Sequence, residues 1–79
     1  MQIRVKLYAH LRKRISGLEL GKEATVDLDE GATPLQILQK LAIDPDEVKI
    51  TMVNGSHAEL DQNLHPNDLV VFFPPVGGG

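Results

Sequence analysis

Ile3, Val5 and Leu7 alternate with Arg4, Lys6 and Tyr8 at the start of the chain. A period of two places successive side chains on opposite faces, so this stretch is predicted to be a strand with one buried face. Ala9 to Ile15 follows as a short helical or irregular stretch that Ser16-Gly17 can end. Glu23 to Asp29 alternates again, with Val26 and Leu28 inward, and is read as a second strand.

The period then changes. After the turn signal Asp29-Glu30-Gly31, Thr33 can cap a helix, Pro34 suits its first position and Gln36 completes a capping-box spacing. Leu35, Leu38 and Leu41, widened by Ile37 and Ala42, form one apolar stripe. Pro45 disfavours helical geometry in the residue before it, so the helix is predicted to stop near Ile43-Asp44. Ile50 to Val53 is a third strand closed by the turn dipeptide Asn54-Gly55, and His57 to Leu60 reads as a short edge strand. Leu64 to Asp68 is a turn, and Leu69 to Phe73 is a final strand, apolar at every position.

This order predicts an α+β domain, a mixed sheet of four to five strands packed on one main helix. The 79 residues leave room for one domain. It is drawn as 1–73, followed by a flexible extended tail, 74–79.

Composition narrows the chemistry. The chain has no cysteine, which removes disulfides, thiolate nucleophiles and cysteine metal sites. Any sulfur it handles must be carried on another atom. The net charge is −3, and the basic residues cluster only at Arg12-Lys13-Arg14, beside His10. That cluster reads as a solvated helical turn rather than a phosphate patch, so no nucleic-acid partner is expected. Charges appear from Arg4 onward, with no apolar signal region, and the run Leu69–Phe73 is too short to span a bilayer. A cytoplasmic protein without a membrane partner is expected. His10, His57 and His65 lack zinc-ligand spacing, so no metal is expected. The serines and threonines show no nucleophile-elbow context, and the glycines form no phosphate-binding loop.

The chemical signal is the end of the chain, Pro74-Pro75-Val76-Gly77-Gly78-Gly79. Pro74 and Pro75 lack N–H donors and fix φ, so the last strand must end there and the chain must leave extended. Six residues can reach about 20 Å at ~3.3 Å each. Gly77, Gly78 and Gly79 make a tip thin enough for a narrow channel in another protein. The Gly79 carboxylate is a poor electrophile until a partner adenylates it with ATP. The alternative is an inert terminus.

These residues resemble the ThiS/MoaD family of β-grasp sulfur carriers. The likeness runs through Leu7-Tyr8-Ala9-His10-Leu11-Arg12, Asp29-Glu30-Gly31-Ala32-Thr33 and Val53-Asn54-Gly55. Its most specific part is Phe72-Phe73-Pro74-Pro75-Val76-Gly77-Gly78-Gly79, similar to the family's terminal Phe-Pro-Pro-Val-x-Gly-Gly. The resemblance implies a ubiquitin-like fold with its first and last strands parallel at the centre.

It also implies a carrier without an active site or bound cofactor of its own, serving as the small subunit of a sulfurtransferase. A ubiquitin-activating-like enzyme would adenylate Gly79, and a sulfur donor such as a cysteine desulfurase or rhodanese would turn the adenylate into a thiocarboxylate. The tail would then enter the molybdopterin synthase large subunit, or supply thiazole sulfur in the thiamine branch. The helical turn after strand one and the Pro-Pro-Val tail favour the molybdopterin type. The third terminal glycine, and His57 where that branch often has an apolar contact, leave tungsten-pterin synthesis and an unassigned carrier as alternatives. A ubiquitin-like modifier joined to lysines through Gly79, and a plain interaction domain, are the remaining rivals.

For partner contacts, the family points to Phe73 and the position of Tyr8. Strand parity adds Leu69 and Val71 to the face that carries Phe73, and an apolar row there is read as an interface.

Overall fold

The computed structural model describes residues 1–18 and 21–75. Its strands are β1 (Gln2–Leu7), β2 (Ala24–Asp27), β3 (Ile50–Val53), β4 (Ser56–His57) and β5 (Leu69–Phe73), and its α-helix is α1 (Pro34–Lys40). Two 3₁₀ segments, Ala9–Arg14 and Pro45–Glu47, complete the elements. The strands form one sheet in the order β2-β1-β5-β3-β4. β1 and β5 pair in parallel and the other pairs are antiparallel. This is the expected β-grasp arrangement.

Its register follows from the apolar period. Val5 pairs with Val70 and Leu7 with Phe72, and Phe72 pairs with Thr51 on the far side. Ile3, Val5, Leu7, Val70 and Phe72 are all buried, as are Ile37 and Leu38 of α1 and Leu11 of the first 3₁₀ segment. Burying side chains of this size contributes roughly 1.5–3 kcal/mol each, so the core lies in one layer between the sheet and α1. Leu69, Val71 and Phe73 have the opposite parity and are only half-buried. β5 is apolar throughout because it is the central strand.

α1 begins as predicted. The Thr33 N–H donates to Gln36 Oε1 at 2.8 Å, and Pro34 occupies the first turn. It ends earlier than predicted, at Lys40 rather than near Ile43-Asp44. Ala42 takes a left-handed conformation, φ 57°. The Ile43 N–H then reaches back to the Leu38 carbonyl at 2.9 Å, and the Ala42 N–H to the Gln39 carbonyl at 3.2 Å. This double closure is a Schellman motif, and it returns Ile43 to the core beside Leu38. Pro45 instead opens the second 3₁₀ segment, where Asp44 Oδ1 accepts from the Asp46 N–H at 2.9 Å.

Two strands are also shorter than predicted. β2 ends at Asp27, although Leu28 still pairs with Met1, its N–H donating to the Met1 carbonyl at 2.9 Å. The edge strand covers Ser56–His57 rather than His57–Leu60. There the Leu60 carbonyl turns to accept from the Leu35 N–H at 3.0 Å, tying the loop to the start of α1.

Candidate functional site

The face of the sheet opposite α1 carries the outward positions of every strand. Across the strands, Lys6 lies beside Val71, Val71 beside Met52, and Met52 beside His57. Directly paired residues project to the same side, so these four side chains form one row. The next row holds Tyr8, Phe73 and Ile50: Phe73 pairs with Ile50, and its ring stacks on Tyr8 with centroids 4.7 Å apart and planes at 11°. Tyr8, His57, Val71 and Phe73 therefore share one surface.

Met52 and Ile50 belong to the same surface and were not singled out from sequence. Local pattern gave no signal for them: Ile50 and Met52 are the apolar parity of β3, yet Thr51 and Val53 are the buried residues, which turns their neighbours outward. Ile50 is 38% exposed, an unusual position for an isoleucine. The surface is apolar at its centre (Val71, Met52, Phe73, Ile50) and bordered by Lys6 and His57. Contiguous exposed apolar surface bordered by polar groups marks protein docking sites.

This surface ends where the tail begins. The Phe72 carbonyl accepts from the Tyr8 N–H at 3.3 Å, and the Phe73 carbonyl accepts from the Lys49 N–H at 2.8 Å. β5 is thus held as far as Phe72 on the β1 side and to its last residue, Phe73, on the β3 side. Pro74 and Pro75 offer no N–H to either neighbouring strand, so pairing stops at the sheet margin. Pro74 is half-buried and Pro75 exposed. Val76, Gly77, Gly78 and Gly79, which carry the expected chemistry, lie outside the described residues.

The opposite end of β5 is fixed by Asn54. Asn54 and Gly55 have φ of 51° and 86°, the left-handed pair that a tight hairpin turn requires. Asn54 Nδ2 donates to Asp68 Oδ1 at 2.8 Å, and Asn54 Oδ1 accepts from the Leu69 N–H at 2.9 Å. One side chain thus joins the β3–β4 turn to the start of β5.

The basic cluster divides in the folded chain. Arg14 Nη1 donates to the Ala42 carbonyl at 2.6 Å, and its Nη2 pairs with Glu47. Arg14 thereby holds the first 3₁₀ segment against the end of α1. Among the described residues, no group of His, Asp and Glu is arranged to hold a metal ion. No helix among them is long and apolar enough to cross a membrane.

An α-helix laid over one face of a mixed sheet, with parallel central strands and an apolar outer face, defines a ubiquitin-like β-grasp protein. The ThiS family model matches residues 5–79, and the chain belongs to that family. Its structure is similar to SAMP1 from Haloferax volcanii, with 25% identity, complete coverage of both chains and a TM-score of 0.74. It is similar to the putative molybdopterin converting factor, subunit 1, from Pyrococcus furiosus at 27% identity and TM-score 0.72, covering 95% of this chain and 98% of that one. A Helicobacter pylori complex of subunits 1 and 2 of molybdopterin-converting factor shares the fold at 20% identity and TM-score 0.62, with both chains fully covered. No curated protein matches the chain. The chain is thus of the ThiS/MoaD-like class of sulfur carriers and ubiquitin-like modifiers.

Proposed function

We propose that this protein is a sulfur carrier acting in molybdopterin synthesis, for a molybdenum or tungsten cofactor, through the carboxylate of Gly79. The observation that carries the reading is the end of β5. The neighbouring strands hold the backbone as far as Phe72 on one side and Phe73 on the other, and Pro74-Pro75 then ends the pairing beside an apolar surface. From Pro75, the four following residues can reach about 13 Å, enough to enter a partner while the domain stays docked outside.

In this mechanism a ubiquitin-activating-like enzyme attaches the Gly79 carboxylate to AMP with release of pyrophosphate. A persulfide from a cysteine desulfurase or rhodanese attacks the acyl carbon and AMP leaves. Reduction of the resulting acyl disulfide by a thiol frees the thiocarboxylate. The absence of cysteine from the chain supports this route, since it leaves the chain end to carry the sulfur. This chain supplies no catalytic side chain. Its residues dock the partner and present the tail.

The similarity to a molybdopterin converting factor subunit 1 supports the pterin assignment. The Helicobacter pylori relative forms a complex with subunit 2, and the proposal extends a large-subunit partner of that kind to this chain. Within the proposal, Tyr8, His57, Val71 and Phe73, with Ile50 and Met52, are the docking residues.

The second reading is a protein modifier joined to lysines through Gly79, favoured by the likeness to SAMP1. Mass spectrometry of the protein isolated from its native cell separates the two. A carrier gains the mass of one sulfur-for-oxygen exchange at its terminus, whereas a modifier leaves glycine remnants on lysines of other proteins. Thiamine synthesis remains the alternative sulfur acceptor pathway; it predicts that deleting the gene creates a thiazole requirement.

A further inference from the structure

We infer that Asn54 is a modification site, independently of what Gly79 does: its side-chain amide deamidates when the β3–β4 turn opens, and the product cannot rebuild the junction with β5. Asn54 precedes Gly55, and no Cβ shields the Gly55 nitrogen, which is the nucleophile in this reaction. Both residues are exposed, and the side of Gly55 where a side chain would stand is open space. The other two asparagines, Asn63 and Asn67, precede Leu64 and Asp68, whose side chains hinder the same approach. The chemistry needs only water. The Gly55 nitrogen, its proton passed to solvent, attacks Asn54 Cγ; a five-membered succinimide forms, and Nδ2 takes up a proton and leaves as ammonia. Water then opens the ring. Cleavage between the nitrogen and Cγ gives aspartate, and cleavage at the main-chain carbonyl gives isoaspartate. One water is consumed and one ammonia released, with no change of oxidation state.

The folded chain holds this reaction back. Asn54 Nδ2 donates to Asp68 Oδ1 at 2.8 Å, and Asn54 Oδ1 accepts from the Leu69 N–H at 2.9 Å. The Asn54 N–H itself donates to the Leu69 carbonyl at 2.8 Å. Ring closure requires the side chain to rotate onto the next nitrogen. A side chain held at both polar atoms against residues 68 and 69 does not rotate until those bonds break. The rate therefore follows the population of the opened turn. β4 contains only Ser56 and His57, so opening here sacrifices little of the sheet.

Neither product fits the place that asparagine leaves. The Asp68 carboxylate accepts from Asn54 Nδ2 and from the His65 N–H, both at 2.8 Å, and its side chain is only 12% exposed. Aspartate at position 54 sets a second carboxylate where the donor stood, so two like charges meet with no hydrogen between them. Isoaspartate adds one carbon to the main chain of a two-residue turn and displaces the pairing of Val53 with Ser56. Deamidation thus runs one way and leaves the start of β5 without its tie.

The test incubates the full chain at mildly alkaline pH, folded in buffer or unfolded in guanidinium chloride at the same temperature, and follows each asparagine by peptide mapping. In the unfolded chain Asn54 is expected to deamidate about tenfold or more faster than Asn63 and Asn67. In the folded chain its rate should fall by about tenfold or more. Asp68→Ala removes one of the restraints and should raise the folded rate severalfold at Asn54 alone. Equal rates for the three asparagines in the unfolded chain overturn the site. An Asn54 rate that is the same folded and unfolded overturns the restraint, as does an Asp68→Ala effect that is absent or common to all three. Asn54→Asp made directly reads the consequence: its urea midpoint should drop. Adding Asp68→Asn returns a donor between the two side chains and should recover part of the loss. A wild-type midpoint in Asn54→Asp, or no recovery in the double variant, overturns the misfit of the product.

Discussion

Tyr8 and Phe73 stack face to face across the two central parallel strands, their centroids 4.7 Å apart. The pair stands at the outer corner of the sheet, and Phe73 is the last residue before the tail. Phe72, one position earlier, points the other way and is completely buried. Neighbouring phenylalanines therefore have different surroundings, and parity decides which is which.

Truncating them separates the two positions. Phe72→Ala removes a core ring and is expected to cost about 3–5 kcal/mol, enough to unfold much of a domain this small. Phe73→Ala loses a half-buried ring and a stacking contact worth about 0.5–1.5 kcal/mol, so the domain stays folded. Its affinity for the adenylating enzyme should instead fall at least tenfold, as for an aromatic anchor. Urea unfolding beside a binding titration checks both. Wild-type affinity in folded Phe73→Ala would remove this face from the docking account.

Ala42 occupies the left-handed closing position of α1, where glycine is favoured. Because a Cβ there costs energy, Ala42→Gly should stabilise the domain by about 1 kcal/mol. The measurement is the urea midpoint at unchanged slope. A lower midpoint would show that Arg14, bound to the Ala42 carbonyl, depends on the alanine for its placement.

Asn54 combines a left-handed backbone with hydrogen bonds to Asp68 and Leu69. Asn54→Ala strains the turn and leaves the Leu69 N–H without its side-chain acceptor, at an expected cost of about 1–3 kcal/mol. Amide exchange of Leu69 and Val70 should accelerate more than that of Val26, since the damage is at the start of β5. Uniform acceleration would mean that Asn54 supports the whole fold rather than this junction.

Much of this was legible in the chain. Alternation in Ile3-Val5-Leu7 assigned the buried face of β1 correctly, because a period of two is local geometry; Leu69–Phe73 is apolar at every position, so parity only grouped its residues and the resemblance, through Phe73, chose the outward set. The start of α1 was legible for the same reason, since Thr33, Pro34 and Gln36 act within one turn. Its end was not, because closure at Ala42 depends on Ile43 returning to a core built by distant residues. Asp44-Pro45 did announce a capped turn, but Pro45 was read only as a stop. Ile50 and Met52 needed knowledge of which sheet face α1 covers. The tie from Arg14 to Ala42 and Glu47 joins segments about thirty residues apart, beyond any local pattern.

The central claim is that the acyl carbon of Gly79 is the reactive atom. Its most direct measurement is the intact mass of the natural gene product after incubation with the adenylating enzyme, ATP and a persulfide donor, followed by sequencing of the terminal peptide. The account predicts the mass increment of one sulfur-for-oxygen exchange, located at Gly79, and none when Gly78 and Gly79 are deleted from an otherwise equally stable domain. An unchanged mass, sulfur found elsewhere in the chain, or a native product that continues past Gly79 without being trimmed would contradict it.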